Sequence, residues 1–305
     1  MLRCTIAGLI PLMMSEKYSG YAEEFYLAQK ADFDRIMEKK SYYLIRDLPV
    51  EIARRILLPE IPGILARQKS NGLWSNSTRV TYDVLSALDH ANLLDDLTAG
   101  KKLKNVSEHI ADKYDHYSLL IKSVIYRQTD EKDICEMSKL IQDIRSLQNE
   151  NGSWENTMVA TVFHMEKLMD LGVRCDDPSV QNGADFIFKQ LNFESENTPD
   201  TGKSQGPKIN SVFSTANSDL EFEATKKFKK EMDPRLVCYR SLGIMQNSLC
   251  LKMLVQIGLE RDKRVESSLD RTYAVYKKYN SLCSFKIRKK FMAEHKKSRT
   301  KDQMM

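Results

Sequence analysis

Gln148-Asn-Glu-Asn-Gly152-Ser-Trp154 decides the fold. It has a near-twin upstream, Gln68-Lys-Ser-Asn-Gly72-Leu-Trp74. Each reads Gln-x-x-x-Gly-x-Trp, and the two tryptophans of the chain close the two copies. The glutamine is expected at a helix end, where it can satisfy orphan backbone groups. The glycine permits a tight turn. The tryptophan supplies a large apolar plate with one N–H to anchor it. Gln68, Gly72, Trp74, Gln148, Gly152 and Trp154 are therefore assigned to architecture, as clamps between repeats, and not to catalysis.

The flanking sequence repeats as well. Asn92 lies 18 residues after Trp74, and Gly172 lies 18 residues after Trp154. Ser75-Asn-Ser-Thr78 and Asn156-Thr157 carry helix N-cap residues. Behind them Val80, Val84, Leu85 and Leu88, and then Val159, Val162, Phe163, Met165 and Met169, predict helices. Leu168-Met-Asp-Leu-Gly172 recurs as Leu254-Val-Gln-Ile-Gly258, each followed by an acidic turn and a new apolar stripe from Val180 or Val265. Asp177 reads as an N-cap with Pro178 at the first helical position. One helix-turn-helix unit thus recurs about three times, the pattern of a solenoid or ring. Elsewhere, helical periodicity is read over 22–46, from Pro49 to the Pro59/Pro62 break, and over 106–127, 134–147, 236–258 and 265–279. Asp95-Asp-Leu-Thr-Ala-Gly100 reads as a polar turn, and Met1–Met14, interrupted by Pro11, as a short helix or ragged start. No segment shows strand alternation, so the expected fold class is all-α.

Bulk properties exclude several classes. With 305 residues, 42% apolar and 29% charged, the chain can bury a sizeable core. No run approaches the roughly 18 apolar residues of a membrane span. The six cysteines are scattered without a C-x-x-C pair, which fits reduced thiols in the cytoplasm. Residues 286–305 hold eight Lys/Arg against two acids, a surplus larger than the whole chain's +5. The body is therefore close to neutral, which argues against a nucleic-acid surface on it. The polar stretch 194–235 reads as an insertion. The expected organisation is an N-terminal helical segment (1–48), a repeat domain (49–285) and a basic tail (286–305). The tail's Phe285, Ile287, Phe291 and Met292 among cations make 285–301 a candidate for weak membrane-surface contact.

The doubled Gln-x-x-x-Gly-x-Trp, each copy leading into a capped hairpin, resembles the repeats of the squalene-cyclase and protein-prenyltransferase superfamily. The resemblance covers residues 50–193 and, more weakly, 236–285, where Tyr279-x-x-x-Cys283-x-Phe285 is a degraded copy. It implies an α/α toroid, with inner helices ringing a cavity and outer helices around them. The eight or nine helices read from the sequence fall short of a complete twelve-helix ring, so a partial ring is the alternative expectation.

The superfamily's chemistry is not matched. Its cyclases use an Asp-x-Asp-Asp acid, held protonated by burial and carboxylate neighbours. Here the acidic pairs are Asp95-Asp96 and Asp176-Asp177, but Leu93 and Arg174 stand where the earlier aspartate belongs. Its prenyltransferases bind zinc through Asp, Cys and His, with Asp and Cys two apart. Asp133-Ile-Cys135 has that spacing, yet Asp133 also suits a helix N-terminus. His109, Asp112 and His116 would share one face of a continuous helix and form a weak candidate metal half-site; solvated surface is the simpler reading. His164 reads as a core histidine, and Tyr82, Tyr114, Tyr117 and Tyr126 as packing or as cation-stabilising aromatics. The expectation is a cavity that binds a hydrophobic small molecule or a peptide, with no cofactor and without the usual catalysis. Two alternatives stay open: an isoprenoid cyclase or prenyltransferase-type enzyme with displaced residues, and a helical scaffold for a protein partner.

Overall fold

The computed structural model describes residues 3–190 and 243–279. The described residues form fourteen α-helices and no strand, so the chain is all-α. The stretch 194–235, the tail and the Tyr279–Phe285 copy fall wholly or largely outside the described residues. None of the described helices is long and apolar enough to cross a membrane. The chain divides into two compact units, Met1–Asp32 with Asn151–Val162 and Asn182–Met305, and Phe33–Glu150 with Phe163–Gln181.

In the first unit, α1 (Arg3–Met14) packs along α13 (Gly243–Gln256) and touches α14 (Lys263–Tyr279). Pro11 does not stop α1. Ile6, Leu9, Ile10, Leu12 and Met13 are all buried, and so are Leu249, Cys250, Met253 and Leu254 of α13. Helices apolar around most of their circumference have to be buried in this way. α2 (Ala22–Ala28) adds Phe25, edge-on to Tyr276 at 5.2 Å. A polar seam closes the edge: Lys17 Nζ lies 2.7 Å from Asp270 Oδ1 and 3.0 Å from Glu266 Oε1, and the Tyr18 hydroxyl donates to Asp270.

The predicted 22–46 helix, which spans the boundary at Asp32/Phe33, is interrupted. α3 (Lys30–Glu38) begins after a break at Gln29 and ends in a left-handed Lys40 with φ of 54°. The 3-10 segment Tyr42–Asp47 follows and packs on α6 (Thr78–His90). α4 (Val50–Leu57) and α5 (Ile61–Ala66) lead to the first clamp. The expected turn at 95–100 is instead helix α7 (Leu94–Ala99). The expected 106–127 helix splits into α8 (Ser107–Ile110), α9 (His116–Leu120) and a π-helical turn, Ile121–Ile125. Two polar groups hold that break. Asp115 caps α9 by accepting from Tyr117 and Ser118 N–H, and Lys122 Nζ takes the Ala111 carbonyl at 2.8 Å. α10 (Glu131–Ser146), α11 (Met158–Asp170) and α12 (Pro178–Gln190) complete the set, the last two running across the division between the units.

The clamp works as a backbone device. Gln68 donates from Nε2 to the carbonyls of Gly72 and Lys104, both at 2.8 Å, and accepts from Lys104 N–H at Oε1. Gln148 likewise donates to the Ser179 carbonyl at 2.9 Å. Trp74 Nε1 donates to the Ile64 carbonyl in the last turn of α5, which also accepts from Arg67 N–H at 3.2 Å. Gly72 and Gly152 have φ of 81° and 86°. A Cβ there would stand 2.5 Å from Asn105 O and 2.2 Å from Asn182 O respectively. The copies also agree beyond the residues that define them. Ser75-Asn76 and Glu155-Asn156 all have positive φ near 53°, which makes a mirror-image turn after each tryptophan. Thr81 and Thr161 each accept from the tryptophan N–H at 3.1 Å. At the far end, Asn92, Gly172 and Gly258 are each left-handed, with paired 6→1 and 5→2 hydrogen bonds such as Leu93 N–H to Leu88 O and Asn92 N–H to Asp89 O.

Two outcomes follow from this packing. Gly152→Ala meets backbone as well as a left-handed φ, so it is expected to cost more than about 3 kcal/mol. Gly172→Ala has nothing within 4 Å and bears only the conformational cost, roughly 1–2 kcal/mol; urea unfolding of the two variants should separate them. Burial raises the Asp270 carboxyl, but the Lys17 ammonium and the Tyr18 hydroxyl outweigh it and hold the group below the usual carboxylate range. A depressed folded pKa stabilises above the unfolded value of about 3.9. Asp270→Asn should therefore cost about 1 kcal/mol or less at pH 7, since the pair is half exposed, and the deficit should fade as pH drops below about 3.9.

Candidate functional site

The segment Tyr42–Leu48 is irregular yet buried, except for a half-buried Arg46. Buried backbone of this kind needs partners. One is the His90 ring, whose Nε2 lies 2.6 Å from the Leu48 carbonyl. Sixteen residues after Trp74 comes His90, and sixteen after Trp154 comes Asp170. The two repeats thus use equivalent positions to grip the same segment, because Asp170 meets Arg46.

Arg46 Nη1 lies 3.4 Å from Asp170 Oδ2 and 3.5 Å from the Tyr82 hydroxyl. Burial by itself would lower the guanidinium's pKa. The carboxylates of Asp170 and Asp47, with Tyr82 and Glu166 behind them, outweigh burial and hold Arg46 above its ordinary value. It is therefore a permanent cation. The contacts continue outward: the Tyr82 and Tyr117 rings are 6.0 Å apart, His116 stands edge-on to Tyr117 at 5.0 Å, and Arg79 lies 5.9 Å over the Tyr117 ring. Arg79 in turn faces Asp83, with 3.9 Å between Nε and Oδ2. On α11, Phe163, Lys167 and Asp170 recur at i, i+4 and i+7, with Lys167 Nζ 4.4 Å above the Phe163 ring. His164 is half-buried, 5.7 Å from Phe163. The result is a face of alternating charge and aromatic rings within one unit.

Of the four tyrosines singled out from the sequence, Tyr82 and Tyr117 belong to this face. Tyr114 instead takes the ammonium groups of Lys122 and Lys132 over its ring at 4.6 and 4.4 Å, and Tyr126 accepts from Val106 N–H at 3.4 Å. Arg46 and Asp170 were not anticipated. Their signals were a cation, followed by Asp47, directly after the apolar run Tyr42-Tyr-Leu-Ile45, and an acid at the position where the other repeat has a histidine.

The acidic pairs are occupied structurally. Asp95 and Asp96 are exposed in the first turn of α7. Asp176 is held bidentately by Arg174 Nε and Nη2, both at 2.9 Å, which lowers its carboxyl below the usual range. That is the opposite of what a proton-donating acid needs. Asp177 accepts from Ser179 N–H at 2.9 Å and from Arg145 Nη2 at 2.6 Å. With α10 and the turn from Leu171, this acidic pair borders an open groove of about 490 Å³.

The expected common face of His109, Asp112 and His116 is absent, since the chain breaks between α8 and α9. His109 Nε2 meets Lys113 Nζ at 2.6 Å, and Asp112 is exposed in the break. Among the described residues, no three His, Cys, Asp or Glu side chains gather as a metal site. Asp133 closes a capping box with Asp130 and pairs with the buried Lys122 at 2.7 Å, while Cys135 points to solvent. Compared with protein-family models, curated proteins and solved structures, the chain matches none.

The geometry ranks the contacts of Arg46. Removing the charge of Asp170 leaves a half-buried cation less compensated, so Asp170→Asn should cost about 1–2 kcal/mol. The Tyr82 hydroxyl sits at the limit of hydrogen bonding, so Tyr82→Phe should cost less than about 0.5 kcal/mol. Chemical denaturation of both variants checks the order.

Proposed function

We propose that the chain is a divergent repeat protein of the squalene-cyclase and prenyltransferase type, an α/α toroid of the cytoplasm, which binds a peptide without transforming an isoprenoid. The paired clamps and the 18-residue spacing support the architecture. One observation carries the functional reading: the Arg46–Asp170–Tyr82–Tyr117 network. A carbocation site needs dry, uncharged walls apart from its acid. A face bearing a guanidinium, carboxylates and tyrosines suits amides and charged groups. A second reading, a scaffold that docks another protein through α10, has its own support, because Ile134 and Leu147 are 55% and 63% exposed.

Selection of a random 12-residue peptide library against the 305-residue protein tests the proposal. Recovered peptides should bind wild type at micromolar affinity and at least tenfold more weakly to Tyr117→Ala by calorimetry. Recovery of no peptide sensitive to Tyr117, or turnover of squalene or an isoprenoid diphosphate by the purified protein, would overturn it.

A further inference from the structure

We propose that the Nε–Nη2 edge of Arg46 anchors a carboxylate of the bound ligand. This rests on the peptide-binding reading and names the group that the site recognises. Both hydrogen bonds of Arg46 leave from one nitrogen, Nη1, and both are long, at 3.4 and 3.5 Å. Nε and Nη2 have no hydrogen-bond partner among the described residues. A guanidinium presents five N–H groups in a planar fork, and the Nε–Nη2 edge matches the two oxygens of a carboxylate.

The same chain shows what that edge does when a carboxylate is in reach. Arg174 binds Asp176 through Nε and Nη2, both at 2.9 Å. Arg264 binds Asp262 through Nε at 3.0 Å and Nη2 at 2.8 Å. Both are substantially exposed ion pairs, with arginine side chains 83% and 50% accessible. Arg46 is 15% accessible, and among the described residues this edge has no partner, so it stays available to an incoming anion. Asp170 holds the guanidinium from the Nη1 side, so it aims the fork without occupying it.

The surroundings select the class of anion. Asp47, Asp170 and Glu166 already set negative charge around Arg46. A dianionic phosphate would meet that repulsion twice over, whereas a monoanionic carboxylate meets it once and gains two charge-assisted bonds. The half-buried Tyr117 ring, 6.0 Å from the ring of Tyr82, whose hydroxyl meets Arg46 Nη1, suits an apolar or aromatic body attached to the carboxylate, such as the C-terminal residue of a peptide.

Benzoate and benzamide share shape and differ in the carboxylate, so they are the probes. In the full chain labelled with ¹⁵N-arginine, millimolar benzoate should shift the Arg46 Nε–H resonance saturably, and benzamide should not. Arg46→Lys keeps the charge and loses the fork, so benzoate should bind it at least tenfold more weakly, with far-UV circular dichroism confirming the fold. The wild-type resonance needs no variant, so a misfolded Arg46→Lys protein leaves the test intact. An Arg46 resonance unmoved by benzoate, or moved equally by benzamide, would overturn the proposal. If selected peptides still bind in a Tyr117-dependent way while benzoate fails, the carboxylate anchor alone falls. If neither binds, the peptide reading falls with it.

Discussion

At Gly72 and Gly152 the backbone comes so close to a neighbouring strand of chain that no side chain could fit. The rest of the structure depends on that approach. It lets Gln68 reach both polar groups of Lys104, and it seats each tryptophan beneath the helix that follows. Trp154 is fully buried, and truncating such a side chain costs roughly 3–5 kcal/mol. The glycine supplies almost no burial of its own, yet the burial of the tryptophan is conditional on it. The left-handed residues after each tryptophan, and the threonine seven positions on, then set where α6 and α11 begin. A Schellman turn at residue 92 or 172 sets where each ends.

With the two helices fixed at both ends, their polar positions fall at fixed places. His90 and Asp170 occupy one such equivalent place, and both grip the segment that carries Arg46. The charged face is thus a product of the repeat: two hairpins of the same length present the same register toward one irregular strand of chain. This also explains why a guanidinium is tolerated there. Its burial is offset by carboxylates delivered from α11 and from the neighbouring Asp47.

How much could be read in advance differs by element. The Gln-x-x-x-Gly-x-Trp spacing, the capped starts at Ser77 and Thr157 and the stop at Gly172 were legible, because each is a local demand of backbone geometry met by a specific residue type. The 106–127 helix was misread because Tyr114, Tyr117, Ile121 and Val124 keep helical spacing, whereas Asp115 and Lys122 break the ladder with side-chain bonds that periodicity does not register. That break also separates His109, Asp112 and His116, which a continuous helix would have aligned.

The sequence by itself determined an all-α chain of repeated hairpins, with the clamps and their end points, since propensity, turn chemistry and hydrophobic period act within a few residues of one another. Only the tertiary structure decided which charges meet. Arg46, Tyr82 and Asp170 lie far apart in the chain, and nothing local to any of them signals the others. Their union follows from packing a buried segment against two helices, and electrostatic partnership over such separations is a property of the fold rather than of any stretch of it.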